Sequence, residues 1–342
     1  MENDIRTYPL DRLEQLAKEF GQPGFRAKQL YEWLHLHHAT SFDEMTNLPK
    51  AFRAQLASAY PLKSARLINR QQSKDGTRKY VIQFADGQMV EAVGMPSGPQ
   101  GERLTVCLST QVGCAMACAF CATGREGFHR NLSPEEMIDQ VSLVEKDFGR
   151  RVTNIVAMGQ GEPFLNYDAV IEAFRKMNSV DSFNIGARHI TVSTCGIITG
   201  IDALANEPEQ FTLAISLHSA IQAKRDKLMP RVSAQRLPDL KTALMNYVEK
   251  TNRRVTLEYL LIKDANDREE DLEALLHFCE GLLCHVNLLP MNNVAGSPFQ
   301  PAPLNTVNHW IDTLSRHHIE ATLRRSRGSD IAGACGQLKN SL

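Results

Sequence analysis

Four of the chain's eight cysteines fall within fifteen positions, in the stretch CLSTQVGCAMACAFC. Cys114, Cys118 and Cys121 form a CxxxCxxC pattern, which places three thiols on one short segment. Complete iron-sulfur ligation by cysteine takes four thiolates, so three would leave one iron of a four-iron cluster without a protein ligand. The pattern therefore predicts an iron-sulfur centre with one open iron, where a substrate or cofactor can bind.

A structural zinc site is the alternative interpretation of the same cysteines. Structural zinc is closed by four ligands, usually in paired CxxC units, and no His or Cys follows this segment at such a spacing. Of the other cysteines, Cys279 and Cys284 lie beside an apolar helical stripe and are predicted core residues. Cys335, taken alone, could equally be a small buried apolar residue.

Composition limits the class of protein. The 342 residues are 43% hydrophobic and 23% charged, with a formal net charge of -1 that favours no polyanionic partner. The N-terminus carries acids where a signal peptide has basic residues, and no apolar run is long enough to span a membrane. We therefore expect a cytoplasmic monomer without a membrane partner, in which eight cysteines indicate metal or redox chemistry rather than a disulfide framework.

Charge is concentrated in one segment. Between Lys50 and Tyr80 eight basic residues stand against a single acid, Asp75. Such a run is either a solvated surface or a patch that contacts phosphates.

The elements that must position these residues change in character near residue 100. Before it, DRLEQLAKEF and AKQLYEWLHLHH predict amphipathic helices, on which His35, His37 and His38 would form an exposed surface. KYVIQF and MVEAVGM then predict two strands joined by a turn at Asp86 and Gly87. The Pro/Gly-rich link at 95–103 suggests an accessory domain over 1–95 and a catalytic domain over 96–342.

After the link, strand and helix signals alternate to the end of the chain. The helix predicted from Pro134 to Phe148 has a capping box formed by Ser133 and Glu136, and Gly149 follows as its terminator. Strands followed by helices imply parallel pairing through right-handed crossovers, which predicts a complete or partial (β/α) barrel, with a doubly wound sheet as the alternative. The cysteine segment, GQGEP, STCG and LHSA all follow predicted strands, where the chemistry of such barrels collects.

Several motifs together give the chain a family resemblance. They are VCLSTQVGCAMACAFCATG, GFHRNL, MGQGEPFLN, RHITVST, ISLHS and RSRGSDIAGACGQL. As a set they resemble the RlmN/Cfr family of radical S-adenosylmethionine (SAM) RNA adenine methyltransferases, from about Phe25 to the C-terminus. The resemblance implies an α/β fold with a partial radical SAM barrel, preceded by a small helical accessory domain and a hairpin.

The resemblance also implies roles for individual residues. It makes Cys114, Cys118 and Cys121 the ligands of a four-iron, four-sulfur (4Fe-4S) cluster, and Cys107 and Cys335 a catalytic pair that forms a transient disulfide. Glu91 aligns with the family's proton acceptor. The residues that match SAM contacts are Gly161, Glu162, Ser193, Ser216, Leu217, His218 and Asn292. Glu162 could also simply cap the helix after GQGEP, and Cys195 would be a neighbour of the SAM site.

The implied chemistry explains the number of special residues. Carbon 2 of adenine is electron-poor, so a methyl group cannot reach it by simple displacement from SAM. In the family scheme, one SAM methylates Cys335, and a radical generated from a second SAM activates that methyl group for addition to the base. Cys107 then releases the product by forming a disulfide with Cys335, so the scheme needs an external one-electron donor and a disulfide reductant.

Substrate choice is less sharply indicated. GFHRNL and GEPFLN resemble the RlmN branch, which favours carbon 2 of adenine in 23S ribosomal RNA, with transfer RNA as a second substrate. Gln160 and Met291 depart from the common pattern, so carbon 8, the Cfr target, stays open. The predicted phosphate contacts are the segment 50–79, Arg125, Arg130, Arg324, Arg325 and Arg327. A radical SAM enzyme that acts on protein or a metabolite, and a non-catalytic iron-sulfur or zinc module, are the alternatives.

Overall fold

A computed structural model of the chain describes residues 4–98, 101–294 and 296–339. Residues 99 and 100 of the predicted link lie outside the described residues. The described α-helices are α1 Leu10–Glu19, α2 Phe25–His35, α3 Lys50–Ala59, α4 Ala122–Glu126, α5 Pro134–Phe148, α6 Tyr167–Asn178, α7 Ile198–Leu204, α8 Gln222–Leu228, α9 Leu237–Thr251, α10 Glu269–Cys279 and α11 Leu304–Arg316. The strands are β1 Arg66–Gln72, β2 Arg78–Gln83, β3 Met89–Ser97, β4 Arg103–Cys107, β5 Gln111–Gly113, β6 Phe128–Asn131, β7 Asn154–Ala157, β8 Ile190–Thr194, β9 Thr212–Ser216, β10 Val255–Leu261, β11 Cys284–Pro290 and β12 Glu320–Leu323.

One continuous sheet organises most of these strands. Its order is β1-β2-β3-β4-β7-β8-β9-β10-β11-β12, while β5 and β6 form a separate two-stranded sheet. Pairing is antiparallel from β1 to β4 and parallel from β4 to β12. The strands at the two ends of the order do not pair with each other, so the parallel part is an incomplete barrel. This architecture confirms the predicted fold class.

The central parallel strands β9 and β10 are buried over most of their length because helices cover their outer face and the barrel interior covers the other. Strand β10, VTLEYLL, is buried at six of its seven residues, and Tyr259 on it packs against Trp310 of α11. Helix α5 has the predicted bounds and capping box, and it ends at Gly149 with φ of +63°, a left-handed conformation that glycine adopts without strain. Helix α10 ends at Cys279, and the chain turns at Gly281 with φ of +72°.

The N-terminal helices have a hydrophobic core of their own. This cluster runs from Ile5 to Leu56, whereas the strands β2 and β3 share the barrel's core, which begins at Ala65. The two cores therefore divide between Leu56 and Ala65, and the predicted division at residue 95 falls inside β3.

The helical region docks on the barrel through buried polar contacts. Arg6 forms an ion pair with Asp139 of α5, with Nη1 and Oδ1 2.6 Å apart. The prediction of an exposed histidine surface is wrong for two of its three members. His38 stacks on Phe183 of the barrel with ring centroids 4.2 Å apart, and the Nε2 atom of His35 is buried at the same junction. Only His37 is exposed, because the other two rings face the barrel rather than solvent.

None of the helices that the structure describes is both long enough and apolar enough to cross a membrane.

Candidate active site

Two adjoining cavities open at the carboxyl ends of the barrel strands. The inner cavity has a volume of about 170 Å³ and is lined by all three CxxxCxxC cysteines together with residues that end or follow β7, β8, β9, β10 and β11. The outer cavity has a volume of about 350 Å³ and contains Cys107 and Asn292. Cys121, Thr123, Arg324 and Cys335 line both cavities and form the wall between them.

Backbone contacts fix the cysteine loop, residues 114–121. The N–H of Cys114 donates to the carbonyl of Gly127 at 2.8 Å, and the N–H of Ala119 donates to the carbonyl of Leu228 at 2.9 Å. Gly113 enters the loop with φ of +74°, and a Cβ atom there would lie 1.9 Å from the Gly127 oxygen. The loop conformation therefore requires glycine at position 113.

The three loop thiols suit a cluster better than a single ion. No group of three His, Cys, Asp or Glu side chains in the described ranges is arranged to hold one metal ion. Burial raises the pKa of Cys114 to about 11, and burial followed by the charges of Cys121 and Cys114 raises the pKa of Cys118. A bound cationic centre would reverse these shifts, because metal binding deprotonates thiols. Cys195 and Cys335 also line this cavity, but from other segments of the chain. The three thiols of one short loop are the donor set of an open 4Fe-4S cluster.

Glu162 both caps a turn and faces the inner cavity. Its Oε1 accepts from the N–H of Phe164 at 3.0 Å, which caps the short 3-10 helix Pro163–Asn166, and its Oε2 accepts from the N–H of Cys195 at 2.8 Å. The side chain is buried, and burial raises its pKa. The carboxylate is thus held by two N–H groups at the cavity wall, where its remaining lone pairs can accept from an ammonium group. Gly161 lines the cavity next to it.

Three more polar groups line the inner cavity from adjacent strands. The hydroxyls of Ser193 and Ser216 lie 3.5 Å apart across β8 and β9. His218 Nδ1 accepts from the N–H of Leu260 at 3.1 Å, so its Nε2 carries the proton, and burial lowers the pKa of this ring to about 3. A carboxylate, two hydroxyls and a neutral imidazole donor beside three thiols match the polar groups of SAM, which supports the fit of this cofactor.

Two of the residues predicted to contact SAM, Leu217 and Asn292, do not line the inner cavity. Leu217 is fully buried in the barrel core and lines neither cavity, so only its backbone follows the strand toward the site. Asn292 lies at the outer cavity, where its Nδ2 donates to the carbonyl of Cys335 at 3.2 Å.

Cys107 and Cys335 meet at the outer cavity although more than two hundred residues separate them. Cys107 is half-buried at the end of β4, and Cys335 is exposed on the C-terminal tail. Burial and then the charge of Cys335 raise the pKa of Cys107 to about 12, while the nearby guanidinium of Arg324 opposes that rise. The two thiols therefore interact electrostatically with each other and with one buried cation.

Glu91 lies outside both cavities. It is fully buried on β3, and its Oε1 is 3.0 Å from Nζ of Lys79, which is also buried. Its Oε2 accepts from the N–H of Lys339 at 2.9 Å, which ties the carboxylate to the C-terminal tail. Glu91 is on the same face of the sheet as Cys107, because β3 pairs Val93 with Cys107 and alternate residues share a face.

Ion pairs within the protein engage several of the side chains that were predicted to contact phosphates. Arg70 and Arg78 both bind Asp147, and Arg130 binds Asp86 and Glu136. Lys79 is in the buried pair with Glu91, so it cannot reach RNA, and Arg324 lies within the site beside the two thiols. Of the other predicted contacts, Lys50, Arg66, Lys74, Arg125 and Arg325 are exposed.

Sequence reasoning missed Glu258 as a site residue. This carboxylate lines the inner cavity from β10 and accepts from Nδ2 of Asn287 on β11 at 2.9 Å, opposite it in register. The signal was a charged residue inside an apolar strand, since burial of an unpaired charge is unfavourable without a specific partner.

Comparison with known proteins matches both parts of the chain. Residues 108–279 match the Radical SAM superfamily, and residues 4–61 match the ribosomal RNA large subunit methyltransferase N-terminal domain. The crystal structure of a radical SAM methyltransferase from Sphaerobacter thermophilus is 42% identical, with a TM-score of 0.93 and coverage of 99% of each chain. Fold and site thus define a radical SAM enzyme, whose cofactors are a 4Fe-4S cluster and SAM.

Full-length relatives narrow the class. The chain is 45% identical over 338 residues to the probable dual-specificity RNA methyltransferase RlmN of Geobacillus thermodenitrificans. This alignment covers 98% of this chain and 92% of the relative. The chain is 43% identical over 339 residues to the protein of the same name from Lachnoclostridium phytofermentans, with coverage of 99% and 94%. The chain belongs to the RlmN family of radical SAM RNA methyltransferases.

Proposed function

We propose that the protein methylates carbon 2 of an adenine in 23S ribosomal RNA, and an adenine in transfer RNA as a second substrate, by way of a methyl group carried on Cys335. The names of the relatives support two RNA substrates, since they describe dual-specificity RNA methyltransferases. The matched N-terminal domain is named for the large ribosomal subunit. The motifs GFHRNL and GEPFLN support carbon 2 over carbon 8.

The convergence of Cys107 and Cys335 carries this proposal. A radical SAM enzyme without a methyl-carrying cysteine has no need for a second thiol pair beside the cluster loop. In this chain the pair lies at the outer cavity, and Cys335 also lines the inner cavity. One thiol is therefore placed to contact both a cofactor in the inner cavity and a base in the outer one.

Each thiol has a separate task. Bound SAM supplies the methyl group and, with the cluster, the radical chemistry that activates it. Cys335 accepts the methyl group as its thiol proton leaves. After a hydrogen atom is taken from that methyl group, its carbon bonds to the adenine carbon, which then loses its own hydrogen as a proton while the surplus electron would return to the cluster. Attack by the Cys107 thiolate on the Cys335 sulfur forms a disulfide and breaks the sulfur-carbon bond, whose electron pair stays with the departing carbon and takes up a proton. An external dithiol must then reduce the disulfide, and an external one-electron donor must serve the cluster.

The roles of the remaining site residues are assigned according to the cavity that each residue lines. We assign Cys114, Cys118 and Cys121 to the cluster, and Gly161, Glu162, Ser193, Ser216 and His218 to SAM in the inner cavity, with Leu217 contributing only backbone. Asn292 acts at the boundary by holding Cys335 through its carbonyl. Glu91 stays the predicted proton acceptor, but its contacts with Lys79 and Lys339 would have to open first.

RNA would approach the mouth of the outer cavity, where Arg325 is exposed. Lys50, Arg66 and Lys74 supply further exposed positive charge on the N-terminal side. A monomer in a reducing compartment such as the cytoplasm suits a chain whose eight cysteines are all free.

Nucleoside mass spectrometry tests the proposal. Purified, cluster-loaded protein is incubated with SAM, a reductant and either 23S ribosomal RNA or transfer RNA. We expect 2-methyladenosine in both digests. Formation of 8-methyladenosine would instead assign a Cfr-like reaction, and SAM cleavage with no methylated RNA would indicate a protein or small-molecule substrate.

A further inference from the structure

Arg225 is a buried cation whose partner is missing from the protein. Its side chain on α8 is completely buried, and within the described residues it makes one hydrogen bond, from Nη2 to the carbonyl of Cys195. Nε and Nη1 are buried and have no hydrogen-bond partner, and no carboxylate forms an ion pair with this guanidinium in the described part of the chain. By contrast, the buried Arg6 binds both Asp4 and Asp139.

The neighbouring carboxylate does not neutralise Arg225. Asp226 is the next residue, but its Oδ1 accepts from Nε2 of Gln222 at 2.6 Å, and its Oδ2 lies 4.0 Å from Arg236. A charge removed from water without a counter-ion is destabilising by several kcal/mol, so a buried guanidinium with two unused donors indicates an anion that binds beside it.

The fold places Arg225 under the cysteine loop. Helix α8 carries it, and the carbonyl of Leu228, at the end of the same helix, accepts from the N–H of Ala119, the residue after Cys118. Gly196 leaves room for the guanidinium, since a Cβ atom there would lie 3.1 Å from Nη2. Cys195 and Cys118, which line the inner cavity, lie near enough for their charges to act on Arg225, as does the charge of Asp226, which forms no ion pair with it.

We propose that Arg225 is the counter-charge of the bound cluster, and that it sets the cluster's reduction potential through its two unpartnered nitrogens, Nε and Nη1. This inference rests on the proposed assignment of Cys114, Cys118 and Cys121 as cluster ligands. A centre with thiolate ligands is anionic, and reduction adds a further negative charge. A nearby guanidinium stabilises the reduced form more than the oxidised form and therefore raises the potential, as hydrogen bonds to cluster sulfurs also do.

The test is a redox titration of the cluster-loaded protein with viologen dyes, followed by electron paramagnetic resonance. Arg225→Met replaces the charged side chain by an uncharged, apolar one. Arg225→Lys keeps the positive charge but changes the geometry of the N–H donors. Lys227→Met removes a positive charge from the exposed side of the same helix and is the matched control. We expect at least a tenfold less favourable reduction equilibrium in Arg225→Met, which corresponds to a midpoint about 59 mV lower, a smaller shift in Arg225→Lys and no shift in the control.

The apoprotein provides a second measurement. Without a cluster, the charge of Arg225 has no partner, so we expect apo Arg225→Met to melt at the same or a higher temperature than the apo wild type. A cluster-loaded Arg225→Met with an unchanged midpoint would overturn the inference and leave the proposed function intact. Lower stability of apo Arg225→Met would make Arg225 a structural support of Cys195 and would also overturn it. A wild-type chain that binds no iron-sulfur cluster would overturn the proposed function itself.

Discussion

The cysteine loop and the C-terminal tail bring the same kind of atom to adjoining cavities in different ways. The loop is held by backbone hydrogen bonds to Gly127 and Leu228, and its conformation requires Gly113. The tail, residues 332–339, is held mainly by side chains. One backbone hydrogen bond, from the N–H of Ala122 to the carbonyl of Gly336, attaches it to α4. Its side-chain contacts are Asn292 with the Cys335 carbonyl, Thr123 with the Leu338 carbonyl, Gln337 with the Asn293 carbonyl and Glu91 with the Lys339 N–H.

This difference fits the two proposed tasks. A cluster stays bound through many turnovers, and backbone contacts at Cys114 and Ala119 suit a loop that must hold its thiols in one arrangement. A thiol that receives a methyl group and later forms a disulfide must change partners, and Cys335 is exposed on a segment with few backbone bonds to the barrel. The loop thus suits a cofactor that stays bound, and the tail suits a thiol that changes bonding partners in each catalytic cycle.

Cys118→Ala should have the largest effect. We expect iron and sulfide contents and RNA methylation to fall to background, because two thiols cannot hold the cluster. Iron and sulfide analysis after anaerobic reconstitution measures the change. Cys279→Ala is the control, since this thiol is buried in the barrel core outside both cavities. Full cluster content in Cys118→Ala would contradict the assignment of the loop thiols as cluster ligands.

Gly113→Ala should disturb the loop while leaving every thiol in place. Its Cβ atom would overlap the Gly127 oxygen, in addition to the strain of about 1–2 kcal/mol that a left-handed conformation imposes. We expect a lower melting temperature and poor cluster retention. Gly149→Ala is the matched control, because φ is +63° there and no atom lies within 4 Å of the added Cβ. Equal losses in the two variants would mean that backbone strain, and not the close contact, matters.

Arg324→Met should have a smaller effect, confined to the tail's chemistry. The charge of Arg324 opposes the rise in the pKa of Cys107, so its removal should raise that pKa further and lower the thiolate fraction below pH 12. We expect formation of the Cys107–Cys335 disulfide with oxidised glutathione at pH 8 to slow about three- to tenfold, which corresponds to a pKa shift of up to about one unit. Arg325→Met, an exposed neighbour, is the control. An unchanged rate would show that Arg324 does not act on this pair.

Contiguous features of the site could be predicted from the sequence. The CxxxCxxC segment and GQGEP each lie in one short segment, and strand periodicity placed both at the same end of the barrel. The predicted bounds of α5 are confirmed, because the capping box and Gly149 are local signals.

Features that depend on pairing between distant segments were not predictable. The strand β1 has no alternating apolar pattern, since most of its residues are exposed and only its antiparallel pairing with β2 defines it. The burial of Lys79 with Glu91 follows from the register of β2 and β3, and the basic residues around it gave the appearance of a single charged surface. Arg225 lies in a short helix without a periodic signal, so only its unpartnered donors in the folded chain indicate a role.

The central claim is that Cys335 carries the methyl group and that Cys107 releases it. The most direct measurement is mass spectrometry of Cys107→Ala after reaction with SAM, reductant and RNA. The account predicts a covalent adduct between the RNA and the peptide that contains Cys335, absent from Cys335→Ala and from the double variant. A Cys107→Ala protein that releases methylated RNA as the wild type does, with an unmodified Cys335, would contradict it.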